Sequence, residues 1–189
     1  IVAEMAVALV LLVSAGLLIR SAWLLQRVQP GFDPNGVTMM RVALPASRYD
    51  SANAVVTAFS RIVDRVRETP GVQLAAAGSR VPMWGGSIDM GIRVDGKPWD
   101  PNAGLIGHVR LVTDGYFETI GIPITRGRSI QPGDLRAGAP SVIVVNETFA
   151  KRTFGDVNPI GHRVSGWTRD SFPVWREIVG VTADVRVFG

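Results

Sequence analysis

Apolar and polar positions change pattern along the chain, and the change is sharpest at the start. Of the nineteen residues Ile1 to Ile19, sixteen are apolar, the exceptions being Glu4, Ser14 and Gly16. A helix from Met5 to Leu25 would be about 31 Å long at roughly 1.5 Å per residue, which matches a hydrocarbon core of about 30 Å. Leu, Val, Ala and Ile surround every side of it. A helix apolar all round is a membrane span or the centre of a large protein, and the rest of this chain is too short to bury such a rod. A signal peptide is the competing explanation. It has a shorter apolar stretch of about 7–15 residues, a basic start and a small-x-small cleavage site. Here the start carries Glu4 and no base, and Ser21-Ala22-Trp23 is a poor cleavage site. Glu4 and Arg20 sit near opposite ends, where their charges reach the membrane interface, and Trp23 fits an interfacial anchor. Leu24 to Val28 continue the helix until Pro30-Gly31 stops it. Arg20 and Arg27 mildly favour a cytoplasmic position for that flank, but an orientation needs the charges on both flanks.

Beyond the Pro30–Gly36 turn the pattern alternates between strand and helix periods. Val37 to Leu44 reads as a strand. Asp50 or Ser51 caps a helix running to about Thr69, with Val55, Val56, Phe59, Ile62, Val63 and Val66 on one face and Arg61, Asp64, Arg65 and Glu68 on the wet side. Pro70-Gly71 ends it, and Val72 to Val81 reads as a small-residue strand, which completes a strand–helix–strand unit. A β-rich stretch follows. Strands are predicted at Ile88–Val94 and Ile106–Val112, with a turn at Asp95–Pro98. Asp114 is expected to cap a short helix over Gly115–Thr119, closed by Gly121 in a left-handed position. Ile122 and Ile124 resume as strand up to a turn at Gly127. Ser141 to Val145 is a near-continuous apolar run, the mark of a buried strand. Asn146 caps a helix through Phe154, with Glu147 at the positive end of its dipole. Arg176 to Val185 is a last strand. Helices and strands interleave without a strict βα repeat, so the fold class is α+β.

Composition narrows the possibilities. The 189 residues are 47% hydrophobic and 19% charged, and the mean hydropathy of +0.22 excludes a disordered chain. Without cysteine there is no disulfide, iron–sulfur cluster or thiol chemistry, and no indication of redox compartment. The formal charge of +4 comes from 20 basic against 16 acidic side chains, and these are scattered. The longest basic run is the pair Lys151-Arg152, and no basic stripe interleaves with aromatics, so no nucleic-acid partner is expected. The chain starts with Ile and stops within Asp184–Gly189, which reads as strand entering a turn; we expect a piece of a longer polypeptide.

The search for chemistry finds no catalytic, cofactor-binding or metal-binding residues. Only His108 and His162 are present, about fifty residues apart, and both read as surface or hydrogen-bonded residues rather than metal ligands. There is no GxxxxGK[ST] phosphate loop, strand-borne GxGxxG or GxSxG. Asp89 and Asp95 flank a strand, with nothing beyond residue type to pair them as acid and base. Asn146-Glu147-Thr148 matches a glycosylation acceptor, although Asn146 is better explained as a helix cap. Met83-Trp84-Gly85-Gly86 places a large apolar pair beside a flexible Gly-Gly. It is either a partner or membrane contact, or a flap in which Trp84 folds back over the core edge. Asp114-Gly115-Tyr116-Phe117 is a cap followed by core aromatics.

The order of several short motifs resembles the MacB/FtsX-like permeases of ABC transporters, in particular the duplicated MacB-like type. They begin with the apolar helix Ala3–Val13 leading to Gly16–Ser21, then Pro30-Gly31-Phe32-Asp33-Pro34, Leu44-Pro45 with Arg48-Tyr49, and Pro70-Gly71-Val72. The most specific is Tyr116–Ile124 with Gly127-Arg128. Val145-Asn146-Glu147, Ala150, Arg152, Phe154 and Asn158–Arg163 follow, and Trp175–Val181 with Asp184-Val185-Arg186 closes the series. Met83-Trp84 depart from the small or polar residues commoner at that loop.

The resemblance implies a transmembrane helix and stalk over residues 1–28 and an extracytoplasmic core domain over 29–189. Within the latter it implies a first porter-like α/β half at 37–82, an inserted β-rich subdomain at 83–172 and the start of a return strand at 173–189. It implies a permease subunit, not an enzyme, in the cell inner membrane with its core domain in the periplasm. ATP hydrolysis would occur in a separate ABC ATPase subunit, and the permease halves would form a dimer or pseudo-dimer surrounded by membrane lipid. Such a domain passes ATP-driven motion of the membrane helices to substrate export. Site expectations are Arg20 and Trp23 as membrane anchors and Met83 and Trp84 as a partner contact; no cofactor is expected. The alternative is a membrane-tethered sensor or ligand-binding domain, which needs a concave pocket with convergent polar groups.

Overall fold

A computed structural model describes residues 1–26, 31–33, 35–80, 88–98, 105–136, 138–167 and 174–185. Two compact units divide the chain, Ile1–Pro30 and Gly31–Gly189. The first consists of helix α1, Val2–Gln26. The second is α+β, with helices α2 (Ala52–Arg67), α3 (Tyr116–Thr119) and α4 (Glu147–Phe154). Its strands are β1 (Ile88–Val94), β2 (Ile106–Val109), β3 (Ile124–Gly127), β4 (Val142–Asn146), β5 (Arg163–Trp167) and β6 (Val174–Thr182).

The six strands form one sheet in the order β2-β1-β5-β6-β3, with β4 added alongside β6. All pairs are antiparallel except β4 with β6. Both β3 and β4 pair with Gly180–Thr182, so they occupy opposite edges of β6. That makes the C-terminal half of β6 the centre of the sheet, and Ile178 to Thr182 are all buried. The parallel β4–β6 register skips one residue, because Ile143 faces Ile178 while Val144 faces Gly180. The extra residue is a bulge, which resets the side-chain alternation. Ile178 and Val181, three positions apart, consequently share one core with Ile92, Val94, Val145 and Val164.

Helix α4 covers that core with Ala150 and Phe154. The Asn146 side chain caps it by accepting from the Phe149 N–H at 3.3 Å. At the other end, Lys97 Nζ donates to the Thr153 carbonyl at 2.7 Å and lies 5.6 Å from the centre of the Phe154 ring. A cation there complements the negative end of the helix dipole. A second small core gathers Tyr116, Ile120 and Ile122 with Phe32, Ala76 and Val112.

Helix α2 forms as its periodicity requires. Ser51 Oγ accepts from the Ala54 N–H at 3.3 Å, and Val63 is the buried centre of the apolar face. The face is only partly covered, with Val56 40% exposed.

The two flanking segments differ from expectation. Val37–Leu44 joins no ladder among the described residues, and Met40 is 69% exposed. Val72–Ala77 does not form a strand either; just after it, Gly78 makes an isolated bridge with Val112, beyond the end of β2. Apolar composition makes a segment suited to a strand, but a strand exists only when a neighbour supplies the ladder. Other differences are smaller. The strand expected over Ile106–Val112 ends at Val109, and the last strand is Val174–Thr182 instead of Arg176–Val185. Val142–Val144 are half-buried, because β4 pairs with β6 alone. Asp114 does not cap α3: Gly115 occupies that position with φ +74°, and the Asp114 carboxylate turns to Arg67 instead.

Candidate functional site

The first candidate element is helix α1. Val2–Trp23 is long and apolar enough to cross a bilayer, has a mean hydropathy of 2.5, and none of it is buried in the protein. Its mid-helix hydroxyl is satisfied internally, since Ser14 Oγ donates to the Val10 carbonyl at 2.7 Å. In hydrocarbon, where no water can take that role, such an internal bond is what makes a polar side chain tolerable. Arg20 and Trp23 lie about one turn apart near the C-terminal end, and both are exposed. Met83 and Trp84 lie outside the described residues.

The second element is a seam joining α2 and residues 75–80 to the loop between β2 and α3. At its centre is Arg67, whose Nε donates to the Ala75 carbonyl at 3.0 Å. Its Nη2 donates to the Asp114 carbonyl at 3.1 Å and to Asp114 Oδ2 at 3.0 Å. Main-chain bonds extend the seam: Thr113 N–H donates to the Ala77 carbonyl at 2.9 Å, and Ser79 N–H to the Leu111 carbonyl at 2.8 Å. Tyr116, buried below it, donates its hydroxyl to the Arg80 carbonyl at 3.3 Å. Burial pushes the Tyr116 phenol pKa up, and the nearby Arg110 charge offsets part of that rise.

Two further polar clusters fasten the sheet. Asp184 accepts from Thr148 Oγ1 at 2.6 Å, from the Thr148 N–H at 3.0 Å and from Asn146 Nδ2. Burial raises its pKa, but these bonds outweigh burial and hold it below the ordinary carboxylate range. Arg128 grips Asp134 through both oxygens, at 2.6 and 3.0 Å. The hydrogen bond from Arg128 is the main reason that the Asp134 pKa is lowered.

Carboxylates held in this way are weak bases, poorly suited to taking a proton. Among the described residues, no group of three or more His, Asp or Glu stands close enough together to hold a metal ion. His108 Nδ1 lies 2.7 Å from Asp89 Oδ1 across the β1–β2 pair, and His162 packs against the Phe154 ring. The arrangement positions and braces elements of structure.

Sequence reasoning did not single out Arg67, and it noted Asp184 only within the motif Asp184-Val185-Arg186, with no role of its own. Arg67 did leave a signal, because it follows Val63 by four positions and so extends the apolar stripe of α2. A charge within such a stripe needs a partner on the facing surface. For Asp184 no neighbouring residue indicated the bonding role, since its partners lie 36 and 38 positions earlier.

An apolar helix long enough to cross a bilayer is followed by an α+β unit, the organisation of a membrane-tethered domain. The chain belongs to the MacB-like periplasmic core domain family, whose model matches residues 5–189. That domain is a part of ABC-transporter-type permeases. Among solved structures, the chain is similar to the periplasmic region of MacB from Actinobacillus actinomycetemcomitans, with 18% identity and a TM-score of 0.48 over 68% of this chain and 52% of that one. It is also similar to the extracellular domain of the noncanonic ABC-type transporter YknZ from Gram-positive bacteria, with 17% identity and a TM-score of 0.44 over 67% of this chain and 57% of that one. The chain thus spans little more than half of either region. No curated protein matches the sequence.

Proposed function

We propose that this chain is the first membrane helix and part of the periplasmic domain of an ABC-transporter permease subunit, in which it carries ATP-driven motion outward to substrate export. In this reading a separate ATPase subunit closes and opens in the cytoplasm, the inner-membrane helices move with it, and the periplasmic domain moves in turn. The permease works as a dimer or pseudo-dimer. Within the domain, residues 37–82 form the first porter-like half, 83–172 the inserted β-rich subdomain and 173–189 the start of the return. Arg20 and Trp23 sit at the membrane interface, and Met83 and Trp84 contact a partner.

The observation that carries the proposal is the unbroken course of α1 to Gln26, beyond the apolar span that ends at Trp23. A helix resists bending and compression along its hydrogen-bonded axis, so it transmits displacement from one end to the other. No covalent chemistry is asked of the periplasmic unit, which agrees with its braced carboxylates.

Inserting Gly-Gly after Gln26 in the full-length permease, assembled with its ATPase, tests this. ATP hydrolysis is expected to persist while export falls to background. Unchanged export would overturn the proposal. A full-length protein that carries no further membrane helices and exports nothing would favour the sensor reading.

A further inference from the structure

Gly31 is the first residue of the second unit, so a displacement that α1 passes along the chain enters that unit here. Gly31-Phe32-Asp33 lie outside regular structure, yet each is held by its own contact. Gly31 lies against the backbone of Asp184 and Val185, just past β6. Its φ is +82°, and a Cβ there would overlap the Asp184 carbonyl oxygen. Phe32 is half-buried and packs on the small core of Tyr116, Ile120 and Ile122, where Val185 also packs. Asp33 N–H donates to the Ile120 carbonyl at 3.0 Å. Gly121 has φ +66°, and a Cβ there would come within 2.9 Å of Asp33 Cβ. The Asp33 carboxylate is fixed in turn, accepting from the Asn35 N–H at 3.0 Å and from Asn35 Nδ2 at 2.8 Å.

The residues that receive these contacts lead in two directions. Asp184 continues through its carboxylate to Thr148 and Asn146 at the start of α4. Ile120 shares its core with Tyr116 of α3, whose hydroxyl donates to the Arg80 carbonyl at 3.3 Å. Close-packed contacts of this kind have low compressibility and pass strain on. A surface connection with few contacts would open locally and absorb it.

Resting on the transmission reading above, we infer that Gly31-Phe32-Asp33 is the seat at which motion enters the second unit. Phe32 is the positioning residue that holds the seat in the small core. The glycines on its two sides, Gly31 and Gly121, allow backbone to meet its neighbours with no compliant side chain between them. The end of β6 and the turn after α3 then receive the displacement together.

The test uses the full-length permease assembled with its ATPase in detergent micelles. Hydrogen exchange is read by mass spectrometry without nucleotide and with a non-hydrolysable ATP analogue. The analogue is expected to change deuterium uptake in the peptides covering 116–124 and 178–185. Phe32→Ala should cut that change by about half or more, while ATP hydrolysis stays within about twofold of the unmodified rate. Val94→Ala, a truncation in the other core cluster, is the control and should keep the change. No nucleotide-dependent change in the unmodified permease overturns the transmission reading and this inference with it. A change that survives Phe32→Ala, or that Val94→Ala removes equally, overturns the inference and leaves the transmission reading standing. Should Phe32→Ala fail to fold, shown by high uptake throughout the unit without nucleotide, Phe32→Leu takes its place as a smaller apolar plug. Loss of part of the change then supports the seat, and full retention overturns it.

Discussion

Arg67 and Asp114, forty-seven positions apart, form a partly buried ion pair whose side chains are 34% and 17% exposed. The pair ties the C-terminal end of α2 to the turn that launches α3. Arg67→Met keeps most of the side-chain bulk but leaves the Asp114 carboxylate and the Ala75 carbonyl without this donor. We expect a loss of about 2 kcal/mol, at the lower end for a buried pair because part of the site is open to water. Thermal unfolding followed by circular dichroism of the full chain in detergent measures it. Arg67→Lys should recover only part of the loss, since an ammonium cannot reach three acceptors in one plane.

Asp184 makes stability depend on pH in a definite direction. Its folded pKa is lowered, so the unfolded chain holds a proton more readily than the folded one. The stabilisation is complete above the unfolded value of about 3.9 and is lost as pH falls through the folded value. Asp184→Asn should therefore lower the melting temperature at neutral pH and flatten its decline at acid pH. A mutant curve parallel to that of the unmodified protein below pH 4 would contradict this.

Gly180 leaves no room for a side chain. A Cβ built there overlaps the Arg128 carbonyl oxygen, which is backbone and cannot swing aside. Gly180→Ala must push β6 away from the chain that follows β3, and we expect a cost of about 3 kcal/mol or more. Gly133→Ala is the control, because nothing lies within 4 Å of its would-be Cβ. It should change the melting temperature by less than about 2 °C.

Asn146 carries two loads, capping α4 and donating to Asp184. Asn146→Ala should cost about 1–2 kcal/mol, and Asn146→Ser, which keeps the cap but not the second bond, about half of that. The double substitution of Asn146→Ala with Asp184→Asn should be less destabilising than the sum of the two single ones, since they share a bond.

Elements with local signals were legible in the sequence. The strand Ile88–Val94 coincides with β1, and Ser51 and Asn146 cap the helices they were expected to cap. Each rests on a few neighbouring residues whose spacing or side-chain chemistry decides the outcome. What was not legible depends on distant partners. Nothing within Val37–Leu44 or Val72–Ala77 reports whether a neighbouring strand lies alongside, and neither joins a ladder among the described residues. Asp114 has the chemistry of a helix cap, but Arg67 competes for its carboxylate from another part of the chain, and a bond between two opposite charges outweighs one to a neutral N–H. The bulge opposite Ile143 was likewise invisible, because it arises from two strands meeting and not from either one.

The oiliness of α1 is spread evenly around its circumference. Acyl chains around such a helix in a bilayer would therefore favour no azimuth, and spinning the rod about its own axis would cost almost nothing. Lipid can resist a thrust along the membrane normal through the ends of the helix, but it offers no grip against torque. Any torsional command must enter through whatever clasps its termini.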